Sequence, residues 1–454
     1  MSKETGRNMT SGNIFQHMIL FSLPLFFGNI FQQMYSTVDT AIVGRVMGSE
    51  QLAAVGATGS LSFFILGFVF GLTSGYGVLV SQAYGAGNSQ KVKKVIGNAF
   101  VLSLFLVFVL TAVALSLVRP VLTVMQTPDS VFRDSVTYIS IILGGMCCTM
   151  LYNVISSLLR AIGDSRTALY FLIVSSFLNI ALDVLMMVGF RWGVAGAALA
   201  TILSQAVSGI LCVFYARTKY ALFRISKEDM KLDWGIIRQL LKLGVPMAFQ
   251  SSITAVGMLI MQTSINKLGA VYVASFTVAN KVEALVSMLA FSLGPTVATF
   301  VGQNFGAQNH DRMFAGVRTV VALAIGYALI SAAISLAGGE WILSLFMSKE
   351  EENVAAVLQG GMTYLKVFAA SLIPYNLLFV FRSALHGMGK SIYTLVGGIM
   401  ECVMRILVSS TLPPVLGFLG CCLAGPAAWV GAAVPLILAY FYEKKKILKS
   451  GTVS

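Results

Sequence analysis

Long apolar runs alternate along the chain with short segments in which Lys, Arg, Asp, Glu, Gly and Pro gather. A helix needs about 20 apolar residues to cross a hydrocarbon layer of roughly 30 Å. Runs such as AFVLSLFLVFVLTAVALSLV reach that length without the alternation that typifies the strands of membrane barrels. The pattern predicts twelve membrane-spanning helices, over residues 14–43, 52–80, 95–118, 136–159, 168–190, 194–215, 244–265, 270–302, 316–337, 361–381, 392–411 and 420–441.

Composition favours the same fold class, an all-α polytopic membrane protein. Of the 454 residues 57% are hydrophobic and only 11% are charged, and the mean hydropathy is +0.83. Soluble globular domains are about 25% charged. This composition excludes an ordinary soluble protein.

Basic residues are unevenly distributed between the predicted loops. With the N-terminus inside, 22 Lys and Arg fall on that side of the membrane and 6 on the other. Because cytoplasmic loops carry the excess of basic residues, both termini are expected to be cytoplasmic. The net charge of +13 then reflects topology and not nucleic-acid binding. The first apolar run is too long for a cleavable signal peptide, so we expect a multi-pass protein of the plasma membrane, in bacteria the inner membrane.

The two halves of the chain repeat each other. The first helix has Pro24 where the seventh has Pro246, and VSQAYGAGN after the second helix matches VGQNFGAQN after the eighth, both at intervals close to 221 residues. Six helices per half give a parallel repeat about an axis along the membrane normal, as in many secondary transporters. The sequence predicts two pseudo-symmetric six-helix lobes, at 1–215 and 244–454, and a cytoplasmic linker at 216–243.

The predicted linker is rich in bases and ends in an amphipathic stretch from Trp234 to Leu243. Basic amphipathic segments lie on membrane surfaces that carry anionic lipid. This stretch is therefore expected to lie on the inner surface of the membrane.

Motifs for energy supply and catalysis are missing from the sequence. HGMGKS, at residues 386–391, resembles part of a phosphate loop, but the motif requires a glycine where the chain has Ala384. The three histidines are isolated, and the six cysteines have no metal-site spacing. We expect no enzyme, no cofactor and no structural metal.

Charged residues inside predicted spans are costly and mark functional sites or ion pairs. In the second half acids and bases occur together, and Glu401 and Arg405 lie four residues apart on one helix face. Pairing of Lys281 with Glu401 is equally open, as is pairing of Glu283 with Arg405. Structural ion pairs are favoured here, with Glu283 as the candidate for substrate or ion binding. The charged residues in spans are Asp39, Asp183, Lys281, Glu283, Lys366, Glu401 and Arg405.

The acids of the first half have no base inside their spans. Asp39 lies six residues before Arg45, and Asp183 lies eight before Arg191, at the outer ends of their helices. At 1.5 Å per residue, both acids lie about one third of the way in from the outer face.

Two uncharged polar residues reach the same depth. Asn179 shares the helix face of Asp183, and Thr201 lies on the sixth helix at a similar distance from the outer loop. Two desolvated carboxylates close together cannot both stay ionised at low cost, so they must take up a proton or a cation such as Na⁺. The alternative is a buried polar cluster that only ties three helices together.

Proline and glycine supply points of bending and close packing. Pro24 leaves the carbonyl four residues earlier without its helical donor, some fifteen residues from Asp39 on the same helix. Gly67, Gly71 and Gly75 have the GxxxG spacing of close helix contacts. Protonation of Asp39 could be coupled to bending at Pro24, and simple helix packing is the alternative.

Several stretches together resemble the multidrug and toxic compound extrusion (MATE) family of the MOP flippase superfamily. The resemblance covers nearly the whole chain. The stretches are MYSTVDTAIVGRVMGSEQLAAVG, SQAYGAGN, LRAIGDSR, FLNIALDVLMMVG, GVAGAALAT and VANKVEALVSMLAFSLGPTVATFVGQNFGAQN.

The resemblance implies two lobes around a central cleft and export of amphipathic organic cations or other drugs, by exchange for H⁺ or Na⁺ with rocker-type alternating access. It implies H⁺ more than Na⁺ as the coupling ion, and a monomer is the default state. A lipid-linked saccharide flippase is the rival function, but it needs cationic groups where helices one and five offer acids. The family's functional positions fall on Asp39, Asn179, Asp183 and Thr201 for ion coupling, Pro24 for bending, Gln32 and Tyr35 for pocket lining, and more loosely Asn153.

One departure from the family concerns the second lobe. Some branches carry a glutamate in helix seven, eight residues after its proline, where this chain has Thr254. Only Glu283 could substitute for it. We therefore place coupling in the first lobe.

Overall fold

The computed structural model describes residues 6–347 and 353–451, which form helices joined by short connections. Lys3 and Lys349, counted above for topology, lie outside these residues. A π-helix at Val184–Gly189 continues α6, and a short 3₁₀ helix at Ala221–Phe223 follows α7. The helices are α1 (Ile14–Met47), α2 (Ser49–Gly85), α3 (Ser89–Val124), α4 (Asp129–Gly144), α5 (Met146–Ala161), α6 (Ser165–Asp183), α7 (Gly193–Lys219), α8 (Trp234–Asn266), α9 (Ala270–Gly306), α10 (His310–Ser344), α11 (Val354–Gly387), α12 (Ser391–Thr411), α13 (Pro413–Leu416) and α14 (Phe418–Gly451).

The helices confirm the predicted fold class. Within the described residues, eleven helices are long and apolar enough to cross a membrane, and twelve spans result if the bent pair α4 and α5 counts as one. The predicted span 136–159 falls on this pair, and the structure adds that α4 and α5 meet at an angle of 46°. Gly145 joins them, and a Cβ atom there would lie 2.2 Å from Ile202 Cδ1 on α7. Only glycine permits α7 to approach this closely.

The internal repeat extends to local geometry. Helices α2 and α9 both contain 37 residues, and each follows a glycine with positive φ, 94° at Gly48 and 99° at Gly269. Asn88 caps α3 by accepting the Lys91 N–H, and Asn309 caps α10 in the same way from Arg312. Such caps satisfy N–H groups that have no partner within the helix. Matched sequence positions therefore perform matched structural roles.

The chain divides into two compact units. Unit 1 comprises the described part of Met1–Met9 and Leu23–Ala248, and unit 2 comprises Thr10–Ser22 and the described part of Phe249–Ser454. One of the three divisions lies before α1, and the other two fall inside α1 and α8, beside Pro24 and Pro246. These units differ from the predicted lobes 1–215 and 244–454, because the segment 216–243 belongs to unit 1 and residues 10–22 belong to unit 2. The lobe boundaries themselves stay a prediction.

The stretch from Trp234 to Leu243 is continuous with the span that follows it, and its predicted position at the inner surface of the membrane stays a prediction. It is the first part of α8, and its apolar residues Ile236, Ile237 and Leu240 are buried in the core of unit 1. That core also contains apolar residues of α2, α3, α5 and α7. The apolar face predicted to contact lipid is covered by protein instead.

Glycines on α2 make this packing possible. A Cβ atom on Gly75 would lie 2.4 Å from Gly244 Cα, and one on Gly71 would lie 2.4 Å from the Met247 carbonyl oxygen. The two backbones therefore touch along the GxxxG face. The small residues found in the sequence hold α2 against the start of α8.

Candidate functional site

Two carboxyl groups meet inside unit 1. Asp39 lies on α1, and Asp183 is the last residue of α6, fully buried. Their side chains are close enough to share a hydrogen bond, and the Oδ1 atom of each is buried without a partner. A hydrogen bond between two carboxyl groups requires one proton, because carboxylate oxygens only accept.

Asn179 and Thr201 complete this group. The Asn179 amide is one helical turn before Asp183, and in the orientation that suits both neighbours it donates to Asp183 Oδ2 at 3.1 Å. Its oxygen then accepts the Thr201 N–H at 3.2 Å. The structure thus brings together, on three helices, the four residues expected from their depth. We call Asp39, Asn179, Asp183 and Thr201 the carboxyl site.

Two tyrosines surround the carboxyl site. Tyr35 lies one turn before Asp39 on α1 and is within electrostatic range of both carboxyl groups. Tyr138 on α4 is within range of the same two acids and of Tyr35. Tyr138 was not predicted from the sequence, although it lies five residues after Arg133, close to the six residues by which Asp39 precedes Arg45. The depth of Tyr138 in the membrane, counted from Arg133 at the outer end of its helix, is the signal that could have identified it.

An apolar layer covers one end of the carboxyl site. It consists of Val43, Met187 and Ala197, which are buried and in contact with one another. Val43 and Met187 lie four residues after Asp39 and Asp183, and Ala197 lies four residues before Thr201. The apolar layer is therefore one helical turn from the carboxyl groups, on the side of the predicted outer face.

The π-helix after Asp183 shapes this region. Its extra residue per turn reorients Met186 and Met187, and the Trp192 N–H donates to the Met186 carbonyl at 3.0 Å. A Cβ atom on Gly196 would lie 3.2 Å from Met186 Cβ. Helix α7 thus packs directly against the π-helix. Single π turns inside helices are frequent at functional sites.

The other predicted residues of unit 1 lie elsewhere on their helices. Gln32 is exposed on α1, and the Asn153 amide donates to the Thr149 carbonyl of its own helix at 2.8 Å. Pro24 lies inside α1, two residues after the division between the units. Their functional roles stay predictions.

Unit 2 holds a separate buried network of charges. Glu401 accepts from Arg382 Nη2 at 2.6 Å and from Arg405 Nη2 at 3.3 Å. The i, i+4 pair of Glu401 and Arg405 is confirmed. Arg382, one of the 22 basic residues counted above on the cytoplasmic side, is a second partner of Glu401. Arg382 Nε and Arg405 Nε and Nη1 are buried without a partner. One carboxylate thus serves two guanidinium groups.

Neither proposed pairing between helices is present in the structure. Glu283 accepts the hydroxyl of Tyr364, and Lys281 lies over the ring of Phe346 at 5.4 Å. Arg405 is within electrostatic range of Glu283 but its nearest acid is Glu401. Glu401 on α12 pairs with Arg382 instead, because α11, which carries Arg382, packs against α12.

Both halves of the chain carry buried acids within helices that are long and apolar enough to span a membrane, and acids in such positions are typical of functional sites. The MatE family model matches residues 24–185 and 246–411, so both matched segments begin at the paired prolines. The chain belongs to the MatE family; it is a transporter and not an enzyme.

Two curated relatives and two solved structures illustrate the likeness. The chain is 32% identical over 348 residues, 75% of each chain, to the probable multidrug resistance protein YoeA of Bacillus subtilis (strain 168). It is 29% identical to the probable multidrug resistance protein YpnP of the same organism, over 97% of this chain and 98% of that one. An outward-facing multidrug resistance MATE family transporter of the MOP superfamily has a TM-score of 0.89 at 20% identity, over 99% of both chains. A MOP superfamily transporter from Pyrococcus furiosus has a TM-score of 0.87 at 21% identity, over 98% of this chain and 99% of that one.

Proposed function

We propose that the protein is a secondary active multidrug exporter, which moves amphipathic organic cations out of the cell in exchange for H⁺. The observation that carries this proposal is the pair of carboxyl groups of Asp39 and Asp183, which lie within hydrogen-bond reach of each other inside unit 1. The names of YoeA and YpnP support drugs as the substrate class. The termini are then cytoplasmic, as the distribution of basic residues predicts.

A proton suits the carboxyl site better than a sodium ion. One proton held between the two carboxyl groups would satisfy both, since they lie within hydrogen-bond reach of each other. The Asn179 amide donates to Asp183 Oδ2, so a cation at that oxygen would face the amide hydrogens. Sodium would need several oxygen ligands directed at one point. Asp39, Asp183 and Thr201 supply oxygens, so Na⁺ is the alternative that the experiments below separate from H⁺.

Loss of the proton would change the forces between α1 and α6. With both carboxyl groups ionised in a buried site, like charges repel strongly. A cationic substrate relieves this repulsion, and so does a new proton. Either one lowers the charge of the ionised pair from −2 to −1 by binding at the same carboxyl oxygens. We infer that the proton and the substrate compete for these oxygens, as antiport requires.

Movement of α1 would transmit this change. Pro24 leaves the Leu20 carbonyl without its helical donor, so α1 bends more easily there than elsewhere. Asp39 and the apolar layer residue Val43 lie on the same helix. We infer that separation of the carboxyl groups shifts α1 and opens the apolar layer, in a rocker-type cycle of alternating access.

Efflux from cells tests the proposal. Cells that express the protein should accumulate less ethidium than cells that carry the empty vector. The Asp39→Asn or Asp183→Asn variant, expressed at the same level, should abolish this difference. Asp129→Asn is the matched control, because it makes the same chemical change at an exposed acid at the start of α4. Full efflux by Asp39→Asn would overturn the proposed role of the carboxyl site.

A further inference from the structure

A surface cavity of about 440 Å³ lies at the end of α7 in unit 1. Its lining contains two guanidinium groups and two hydroxyl groups but no carboxylate. An aromatic ring and an aliphatic side chain form the remaining wall. The lining residues are Phe214, Arg217, Thr218, Arg224, Ile225 and Ser226.

The two arginines are held on one side of the cavity by the fold. Arg224 Nε donates to the Arg217 carbonyl oxygen at 3.1 Å, so the later arginine folds back over the last turns of α7. The 3₁₀ helix Ala221–Phe223 makes this turn, and Phe223 anchors it in the core. Because Nε satisfies the helix carbonyl, the two Nη groups of Arg224 can serve a ligand.

The neighbouring carboxylates are engaged by other donors. Asp229 accepts the N–H of Ser226 at 2.9 Å and its hydroxyl at 2.8 Å. Asp164 accepts the Tyr220 hydroxyl at 2.6 Å and lies 3.8 Å from Lys219 Nζ. Neither carboxylate lines the cavity, so its walls carry two positive charges and no negative one.

The position of the cavity along α7 suits a lipid headgroup. About 20 residues from Gly193 cross the hydrocarbon layer, so Arg217 and Thr218 lie just beyond it. The side chain of Phe214 is 64% exposed and that of Ile210 is 48% exposed. These apolar groups continue from the cavity along α7, where an acyl chain would lie.

We propose that this cavity binds the phosphate of an anionic glycerophospholipid in the inner leaflet. Arg217 and Arg224 contact the phosphate oxygens, and the acyl chains pack along Phe214. Guanidinium groups are well suited to phosphate because they donate two parallel hydrogen bonds. The exposed apolar wall selects a lipid over a free phosphate.

A second cavity supplies a contrast. It has a volume of about 670 Å³ and is lined by Lys94 and Lys231, but also by Glu228, Asp229 and Asp233. Its mixed charge does not favour an anion. Lysines beside it therefore serve as controls that change net charge without changing the proposed site.

The experiment uses the purified full-length protein in nanodiscs or vesicles. Replacing phosphatidylcholine by phosphatidylglycerol should raise the Tm, and native mass spectrometry should show one retained phosphatidylglycerol. The double variant Arg217→Gln/Arg224→Gln should weaken this binding about 10- to 30-fold, on the basis of about one kcal/mol for each base near a membrane surface. Its Tm in phosphatidylcholine should match the wild-type Tm, which shows that it folds.

The variant Lys94→Gln/Lys231→Gln, at the second cavity, changes the net charge equally and should retain the lipid. Equal loss of lipid in both double variants would overturn the proposal, since it would indicate general attraction to charge. Inorganic phosphate and glycerol 1-phosphate are tested in detergent at millimolar concentration. Stabilisation by these soluble phosphates without any effect of phosphatidylglycerol would also overturn it.

Discussion

Asp39 and Asp183, which lie on different helices of unit 1, bring their carboxyl groups within hydrogen-bond reach of each other. Each also keeps one buried oxygen without a partner. An unpartnered polar atom in a buried site costs about 1–3 kcal/mol, which a purely structural cluster would be expected to avoid. The cost is understandable if these oxygens bind a proton or a cationic substrate during part of a transport cycle.

The apolar layer should prevent protons from reaching the carboxyl site without transport. Val43→Asn places a polar amide among Val43, Met187 and Ala197, and water should then reach Asp39. We expect proteoliposomes with this variant to dissipate a pH gradient several times faster than wild type in the absence of substrate. A pH-sensitive dye trapped inside the vesicles measures the rate.

The control for this prediction is Val38→Asn. Val38 lies on the same helix but its side chain is 40% exposed, so an added amide there changes no buried contact. A leak of the same size in both variants would show that the apolar layer does not form the seal.

Glu401 should contribute strongly to the stability of unit 2. Glu401→Gln leaves Arg382 and Arg405 buried with a neutral partner, and breaking a buried ion pair in this way costs about 3–5 kcal/mol. We expect a Tm lower by several degrees in detergent. Removal of one base as well, in Glu401→Gln/Arg405→Gln, should recover part of the loss.

The matched control is Glu443→Gln. Glu443 pairs with Lys390 at 3.0 Å, but the Lys390 side chain is 35% exposed and can be solvated when its partner is lost. Its effect on Tm should be clearly smaller. Equal effects of the two glutamine substitutions would argue against a special cost at Glu401.

The repeated asparagine caps should contribute equally to stability. Asn88→Ala and Asn309→Ala each remove one acceptor from the first turn of a helix, at a cost of about 1 kcal/mol. The costs should add in the double variant, since the two sites are independent. Asn88→Asp and Asn309→Asp keep the acceptor and should retain nearly the whole stability.

Asp229 should make unfolding pH-dependent in the loop after α7. Hydrogen bonds from the Ser226 N–H and hydroxyl lower the pKa of Asp229 below its usual range. A lowered pKa in the folded state gives stability that is present above the unfolded-state pKa of about 3.9 and is lost as the pH falls through the folded value. Thermal unfolding should show wild type more stable than Asp229→Asn at pH 7, with the difference shrinking near pH 3. A constant difference would contradict this assignment.

The sequence predicted much of the fold and the four members of the carboxyl site, and the reasons are physical. Apolar runs that span a bilayer can only be helices or barrel strands, and depth from the outer basic residues placed Asp39 beside Asp183. Depth is a weaker guide to uncharged aromatic residues, so Tyr138 was missed. Arg382 was missed because its helix continues well past the predicted end, which moved it from a loop into the protein interior.

Contacts between distant helices could not be read from local patterns. The start of α8 has the same amphipathic pattern whether its apolar face contacts lipid or protein. It contacts protein because Gly71 and Gly75 on α2 allow the backbone of α8 to approach closely. The bend at Gly145 likewise depends on Ile202, far along the chain. The π-helix after Asp183 has no sequence signature in a run of apolar residues.

Transport by purified protein in proteoliposomes tests the central claim most directly. A gradient of one pH unit supplies about 1.4 kcal/mol per proton, enough for roughly tenfold accumulation of a monovalent cation by one-for-one exchange. We predict that vesicles acidic inside accumulate ethidium about tenfold, that Asp39→Asn abolishes this while Asp129→Asn does not, and that a tenfold Na⁺ gradient at equal pH has no effect. Accumulation driven by the Na⁺ gradient but not by the pH gradient would contradict the account.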